Sequence, residues 1–338
     1  MPKALVIGPR FYNFNAAVGA ALQNLGYQVQ TESYDVPVDP YGLASRLRYK
    51  IEPFKESYRA RNRLSRQEHY RRVFDAAAPD VVFILNGEIL LADTLDYFRS
   101  RAKVALWCFD SVRHIPVITG HISHVDRFYC YDRGDVEFYA QRGETALFLP
   151  QAADSAIYHP VEGVQKDIDI LFVGDLYHSP RRREYISQVI KAFPGRRIKV
   201  AGIYKPWYKG PLKALLRERR DIYTNRNIPP QQVNALYNRA RVVLNIHNEQ
   251  QSDGANPKVF EICCAGAYQV CDANPYIRSL FPGGEVGLYE SCEELIARIR
   301  EALEGDKSAA AASARSKVLE GHTFSERMSR VIKDLETL

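Results

Sequence analysis

Apolar residues recur along this chain in two rhythms. Short unbroken runs rich in β-branched side chains alternate with longer stretches in which apolar positions return every three or four residues. The first rhythm marks a strand buried on both faces, the second a helix with one face on a core. In the first half, Lys3–Gly8, Tyr27–Gln30, Asp80–Leu85, Lys103–Trp107, Arg127–Tyr131 and Thr145–Leu149 read as strands. Between the first two, Ala17, Val18, Ala21, Leu22 and Leu25 share a helical face, and Gly26 is the natural stop. From Val36 to Ser65 the pattern is poor, with prolines at 37, 40 and 53, and a basic helix then runs to about Ala77. A helix ending at Gly143 lies between the last two strands of this half.

Leu149–Pro160 has no period and two prolines, which suits a link between domains. The alternation then restarts. Strands are expected at Asp167–Val173, Ile198–Gly202, Val242–Ile246, a stretch ending at Cys271, and near Val286–Tyr289. Helices are expected from Pro180, over Pro230–Arg239, Ser291–Leu303 and Asp306–Glu320, and in the last segment from His322. Strands alternating with helices predict an α/β class, with two doubly wound domains at 1–152 and 160–321. With 338 residues, each domain is long enough to bury its own core.

The densest chemistry lies in Asp253–Asp272, DGANPKVFEICCAGAYQVCD. Asn256 reads as an N-cap, Pro257 as the first helical residue and Gly266 as the stop. Glu261 stands among Val259, Phe260, Ile262, Cys263 and Cys264, where a carboxylate is costly unless it is paired or binds something. Its alternative is the solvated side of the helix, with Asp253 capping a turn. Lys258 lies between the two acids.

Two acids eight positions apart, across a loop and a helix start, resemble the nucleotide-sugar motif of GT-B glycosyltransferases. The variant NPKVFEICCAGAYQV looks most like the branch that includes the spore-maturation protein CgeB. The resemblance implies a GT-B fold of two Rossmann-like domains facing each other across a cleft, with the terminal helix, 322–338, crossing back to the first. It implies that Glu261 holds ribose hydroxyls, and that Asp253, Asn256 and Lys258 border donor sugar and phosphates. Where the family pattern has glutamate, this chain has Asp253, one methylene shorter. The implied activity is transfer of a sugar from a nucleoside-diphosphate sugar, UDP being the family's commonest carrier, to a hydroxyl on a glycan, lipid-linked or protein acceptor. A catalytically weak homologue that binds nucleotide sugars or serves as a scaffold is the alternative.

Other residues are placed by position. Gly174 ends a strand, and Arg181, Arg182 and Arg183 open the helix after it, which suits a diphosphate through amide donors and guanidinium charge. Lys205 lies just beyond the next strand, and His247 at the end of Val242–Ile246. In the first half, Arg10 and Tyr12 follow the first strand, Glu88 the third, and Asp110 and His114 the fourth. Ligands of open α/β sheets gather at such strand ends. Arg10, Tyr12 and Glu88 are therefore acceptor-side candidates, and Asp110 and His114 catalytic candidates, with a helix cap and a surface histidine as their structural alternatives.

Composition narrows the classes. Hydrophobic residues are 46% and charged residues 25%, both globular values. GxGxxG is absent after the first strand, which argues against a nicotinamide oxidoreductase. The opening residues run straight into a strand with no leader pattern, and the six cysteines form no CxxC pair, so buried reduced thiols and a cytoplasmic site are expected. No cofactor and no metal are expected, since Arg and Lys side chains supply the positive field. The formal charge of +6 is concentrated in Arg46–Arg72, with ten Lys/Arg against three Glu. That segment is a solvated helical face, a peripheral contact with an anionic membrane, or a surface for an acidic acceptor; nucleic acid is not expected, as no binding motif accompanies it.

Overall fold

The apolar runs become the strands of two separate parallel sheets. The computed structural model describes residues 1–9, 13–34, 54–203, 222–248 and 251–338, with backbone alone at 54–61 and 225. It divides into two compact units, Met1–Leu149 with Phe324–Leu338, and Pro150–Thr323.

The first unit carries β1 (Lys3–Gly8), β2 (Gln28–Ser33), β3 (Val81–Leu85), β4 (Lys103–Cys108), β5 (Arg127–Cys130) and β6 (Leu147–Phe148), in the order β2-β1-β3-β4-β5-β6. Every pairing is parallel; Leu5 lies opposite Gln30 on one side and Val82 on the other. The five residues of β3 are all buried because helices cover both faces. Those helices include α1 (Phe14–Asn24), α2 (Phe54–Ala77), α3 (Ala92–Arg99), α4 (Pro116–Thr119) and α5 (Arg133–Ala140).

The second unit carries β7 (Ile168–Val173), β8 (Ile198–Gly202), β9 (Tyr223–Asn225), β10 (Ala240–Asn245), β11 (Gln269–Asp272) and β12 (Gly287–Tyr289), in the order β12-β11-β10-β7-β8-β9, again all parallel. Its helices are α6 (Pro180–Ala192), α7 (Pro230–Arg239), α8 (Pro257–Cys264), α9 (Pro275–Leu280), α10 (Cys292–Glu304) and α11 (Ser308–Gly321). The terminal helix α12 (Phe324–Glu336) belongs to the first unit. It buries Phe324, Met328, Val331, Ile332 and Leu335 along one face, and the Phe324 ring lies 6.0 Å from Phe14 and 6.1 Å from Trp107.

Each sheet reverses its direction of winding once. In the first, β1 and β3 are neighbours whose onward connections lead to opposite edges; in the second, β7 and β10 are. Loops leaving the carboxyl ends of such a pair diverge and open a crevice. At the second crevice the backbone packs tightly. Gly174 N donates to Ala201 O, and a Cβ on Gly202 (φ +138) would lie 2.1 Å from Gly174 O, so only glycine fits there.

Several boundaries differ from the sequence reading. β2 begins a residue later than expected and runs on to Ser33, as an edge strand whose polar residues carry no apolar run to mark its limits. Residues 221–227, legible only as short and polar, include the edge strand β9, paired with Val200–Gly202. α5 ends at Ala140, and Gly143 (φ 75) instead closes the turn that follows. All six cysteines are free, five of them buried.

Candidate functional site

Helix α6 starts where β7 ends. Pro180 supplies the fixed φ of its first position, and Ser179 caps it by accepting from Arg182 N at 3.3 Å. The three arginines of its first turn then part company. Arg183 donates to Leu176 O at 2.8 Å and Tyr177 O at 2.5 Å, and Arg182, 8% exposed, donates to Ile246 O at 2.8 Å and Asp175 O at 3.3 Å. Both tie down the loop ahead of the helix. Arg181 points elsewhere, pairing with Asp272 at 3.0 Å and lying over the Tyr185 ring.

Asp272 ends β11 and is the hub of the site. Its carboxylate accepts from His247 N at 3.0 and 3.1 Å, meets His247 Nδ1 at 2.5 Å, and takes the Arg181 guanidinium. Burial by itself would raise this carboxyl, but His247 and Arg181 more than offset it and hold it down at about 2. Arg181, His247 and Asp272 line a pocket of about 410 Å³ with Asn248, Ser252, Asn274, Tyr289 and Glu290 among its other walls. The pocket sits at the carboxyl ends of β10, β11 and β12, beside the switch point. Cys271 Sγ lies 3.8 Å from His247 Nδ1, and His247, Cys271 and Asp272 bring their ligating atoms within 4.8 Å of one another.

The start of α8 follows the sequence pattern. Asn256 accepts from Val259 N at 3.2 Å as the N-cap, with Pro257 next and Gly266 (φ 70) beyond the last turn. Asn256 is itself fixed by paired amide hydrogen bonds with Asn245, at 2.9 and 3.1 Å. Glu261 is 7% exposed, so it does not lie on a solvated face. Burial raises its carboxyl, while Lys258 and a hydrogen bond from the Tyr158 hydroxyl oppose that rise. Lys258 is lowered by burial, with Glu261 opposing and Arg182 reinforcing the change. Asp253 accepts from Tyr276 N at 2.6 Å and thereby helps to anchor the start of α9.

Of the expected donor-side residues, then, Arg181 and His247 line one pocket, half-buried Lys258 stands near enough to buried Glu261 for their charges to act on each other, and Gly174, Asp253 and Asn256 shape the backbone around them. Asp272 was missed. The available signal was an acid at the carboxyl end of a buried strand, and its partners are distant in sequence. Lys205, Arg10 and Tyr12 lie outside the described residues.

In the first unit, Glu88, Asp110 and His114 stand at the carboxyl edge beside that sheet's switch point. Asn86 (φ 61) accepts from Phe109 N at 2.7 Å and donates to Asp110 at 3.0 Å, joining the ends of β3 and β4. Glu88 accepts from the Tyr34 hydroxyl at 3.1 Å. Burial raises its carboxyl and nearby Asp110 adds to that, against its own backbone amide and Tyr34. Asp110 and His114 are exposed. The segment between them is held by buried Asp135, which accepts from Ser111, Val112 N and Arg113. Of the basic stretch Arg46–Arg72, residues up to 53 lie outside the described residues; the remainder belongs to α2, where Arg66 donates to Tyr34 O at 2.9 Å. No described helix is long and apolar enough to cross a membrane.

Comparison with known proteins agrees with this layout. No curated protein matches the sequence. Residues 181–333 match the family model described as glycosyl transferase-like. Among solved structures, sucrose-phosphate synthase from Thermosynechococcus elongatus is similar over 100% of both chains, with a TM-score of 0.70 at 13% identity. A UDP-forming α,α-trehalose-phosphate synthase from Burkholderia xenovorans is similar over 99% of each chain, at 0.67 and 12%. AviGT4, a glycosyltransferase involved in avilamycin A biosynthesis, is similar over 100% of this chain and 98% of its own, at 0.64 and 16%. The fold is α/β and matches GT-B glycosyltransferases, two six-stranded parallel sheets with flanking helices.

Proposed function

We propose that this chain is a glycosyltransferase that moves a sugar from a nucleoside diphosphate, UDP foremost, to an acceptor hydroxyl. The observation that carries the reading is the meeting of Arg181 and His247 on one pocket wall at the second sheet's switch point, inside the segment that matches the glycosyl transferase-like model. A departing nucleoside diphosphate gains negative charge at its phosphate oxygens, and fixed cations and helix amides stabilise that charge. Arg181 has five N–H donors and spends some of them on Asp272 and the Tyr185 hydroxyl, so the others can serve a phosphate. Glu261 is the ribose acceptor in this reading, already held in place by Tyr158 and Lys258. The proton of the acceptor hydroxyl goes to a base on the first unit's edge, for which Asp110, His114 and Glu88 are the candidates.

The reaction is proposed to need no metal. Among the described residues, the cluster His247, Cys271 and Asp272 has ligating atoms close enough to hold one. The Arg181 guanidinium on Asp272 disfavours a second cation there. The neighbours' printed names support the donor class: one forms UDP, and another is a glycosyltransferase. The CgeB-like branch and a cytoplasmic setting belong to the same reading.

The test is a thermal-shift panel of UDP, TDP, GDP, ADP and NAD, followed by slow hydrolysis of the corresponding nucleotide sugars with and without EDTA. At about 100 times its dissociation constant the true carrier stabilises the fold by roughly 2.7 kcal/mol, and NAD does not. No shift with any nucleoside diphosphate overturns the donor site. Activity lost to EDTA and restored by Mg²⁺ overturns metal independence alone.

A further inference from the structure

In the first unit, Asn86 does more than follow a strand. In a parallel ladder a residue bonds to the two neighbours of the one opposite it. Asn86 N accordingly donates to Trp107 O at 2.9 Å, and its own carbonyl is the expected acceptor for Phe109 N. The backbone leaves the sheet instead, with Asn86 at φ 61 and Gly87 at φ 80. Phe109 N reaches the side chain, Oδ1, at 2.7 Å. A backbone N–H only donates, so that atom is the amide oxygen, and Nδ2 is the atom facing Asp110, whose Oδ2 accepts from it at 3.0 Å. Asn86 is buried, whereas Asp110 is exposed, so a ligand can reach it. On the other side of Asp110, buried Asp135 accepts from Ser111 Oγ at 2.8 Å, Val112 N at 3.2 Å and Arg113 Nε at 2.8 Å. An exposed aspartate is thus fixed from both sides, at an entropic cost that an ordinary surface residue does not carry.

We propose that Asn86 is a positioning residue for the acceptor side, holding one carboxylate oxygen of Asp110 so that the other accepts a hydrogen bond from the acceptor hydroxyl. This rests on the glycosyltransferase reading above. Oδ2 is the oxygen held, which leaves Oδ1 for the ligand. The hydroxyl then meets one preset acceptor, and a group displaced by even an ångström costs much of the rate. Asparagine suits the place. It tolerates left-handed backbone as glycine and aspartate do, but glycine has no side chain and an ionised aspartate has no donor. Glu88 is held differently: it is half-buried and accepts from the Tyr34 hydroxyl at 3.1 Å.

The test is turnover of UDP-glucose, and of the nucleotide sugar that the thermal-shift panel selects, with water and then glycerol as the hydroxyl. Asn86→Gly keeps the left-handed backbone and removes the amide. Its kcat is expected to fall about tenfold or more, while KM for the nucleotide sugar and affinity for UDP stay within about twofold. Asn86→Asp keeps an acceptor for Phe109 N but aims a carboxylate at Asp110, and the same loss is expected; it decides the matter if the glycine variant does not fold. Adding Asp110→Asn to Asn86→Asp exchanges the two side chains and restores a donor between them. The melting temperature of this exchange variant is expected to return to the native value, yet turnover stays low because the exposed position now carries a neutral amide. A pair that serves only the fold predicts native turnover once the hydrogen bonds are restored. Native kcat in Asn86→Gly, or in the exchange variant, overturns this inference and spares the glycosyltransferase reading. Failure of the native protein to turn over any nucleotide sugar removes both.

Discussion

The two switch points share one architecture but surround their described carboxylates differently. At the second, between β7 and β10, Arg181 and His247 meet the carboxylate of Asp272, which is driven to its ionised form, and Lys258 stands near Glu261. At the first, between β1 and β3, Glu88 and Asp110 meet no such partners among the described residues. Glu88 faces Asp110 and the Tyr34 hydroxyl, and its carboxyl is pushed up. Parallel sheets put loops and helix starts at the same edge in both units, so the difference comes from side chains alone. In the proposed reaction that division is chemically sensible. A diphosphate needs a lasting positive field, whereas an acceptor hydroxyl needs a base whose affinity for a proton has been raised.

The largest expected effect breaks the second site's charge balance. Folding lowers the Asp272 carboxyl from 3.8 to about 2, so its contribution is complete above about pH 4 and is lost as pH falls towards 2. The gap between the two values corresponds to about 2 kcal/mol. Urea unfolding of Asp272→Asn at pH 6 is expected to show a deficit of about that size, narrowing steadily below pH 4. A deficit that persists unchanged at the lowest pH would mean that lost packing, rather than the ion pairs, is responsible.

A smaller effect separates the arginines of α6. Arg181→Ala is expected to weaken UDP binding about tenfold, near 1.4 kcal/mol, because it removes a charged donor from the pocket wall. Arg183→Ala should leave the affinity within about twofold, since its guanidinium is spent on Leu176 O and Tyr177 O. Equal losses in the two variants would erase the distinction between a pocket residue and a loop tie, and calorimetry reads it directly.

How much of this could be seen in the sequence varied with what each feature depends on. Strands such as β3 and β4 were legible because burial on both faces leaves an unbroken apolar run. The cap, proline and stop of α8 were legible because each acts within a few residues of itself. Edge strands β2 and β9 blurred, since neither needs an apolar face on both sides. Glu261 was conspicuous for its apolar neighbours, yet its partner Tyr158 comes from the segment before β7 and left no local sign. Asp272 was invisible for the same reason: a polar residue ending a strand is ordinary until His247 and Arg181 are brought to it by the order of the sheet.

The smallest effect sharpens the first site. The Glu88 carboxyl is raised above 4.5, chiefly by burial, with Asp110 adding repulsion against the help of its backbone amide and the Tyr34 hydroxyl. An acid whose folded value is raised holds its proton more tightly in the native state, so its charged form costs stability above that value and the cost disappears below it. Glu88→Gln keeps an oxygen for Tyr34 to donate to and removes the charge that burial and Asp110 disfavour. The variant is therefore expected to be more stable than the native protein at pH 7 to 8, by a few tenths of a kcal/mol, with the gain fading as the pH drops through the acid range. UDP affinity, set in the other unit, should not move. If Glu88 is also the base, sugar transfer falls while this stability rises, and that opposite movement separates function from folding. A variant less stable at pH 8 than at pH 5, relative to the native protein, would show that the carboxylate is welcome where it stands.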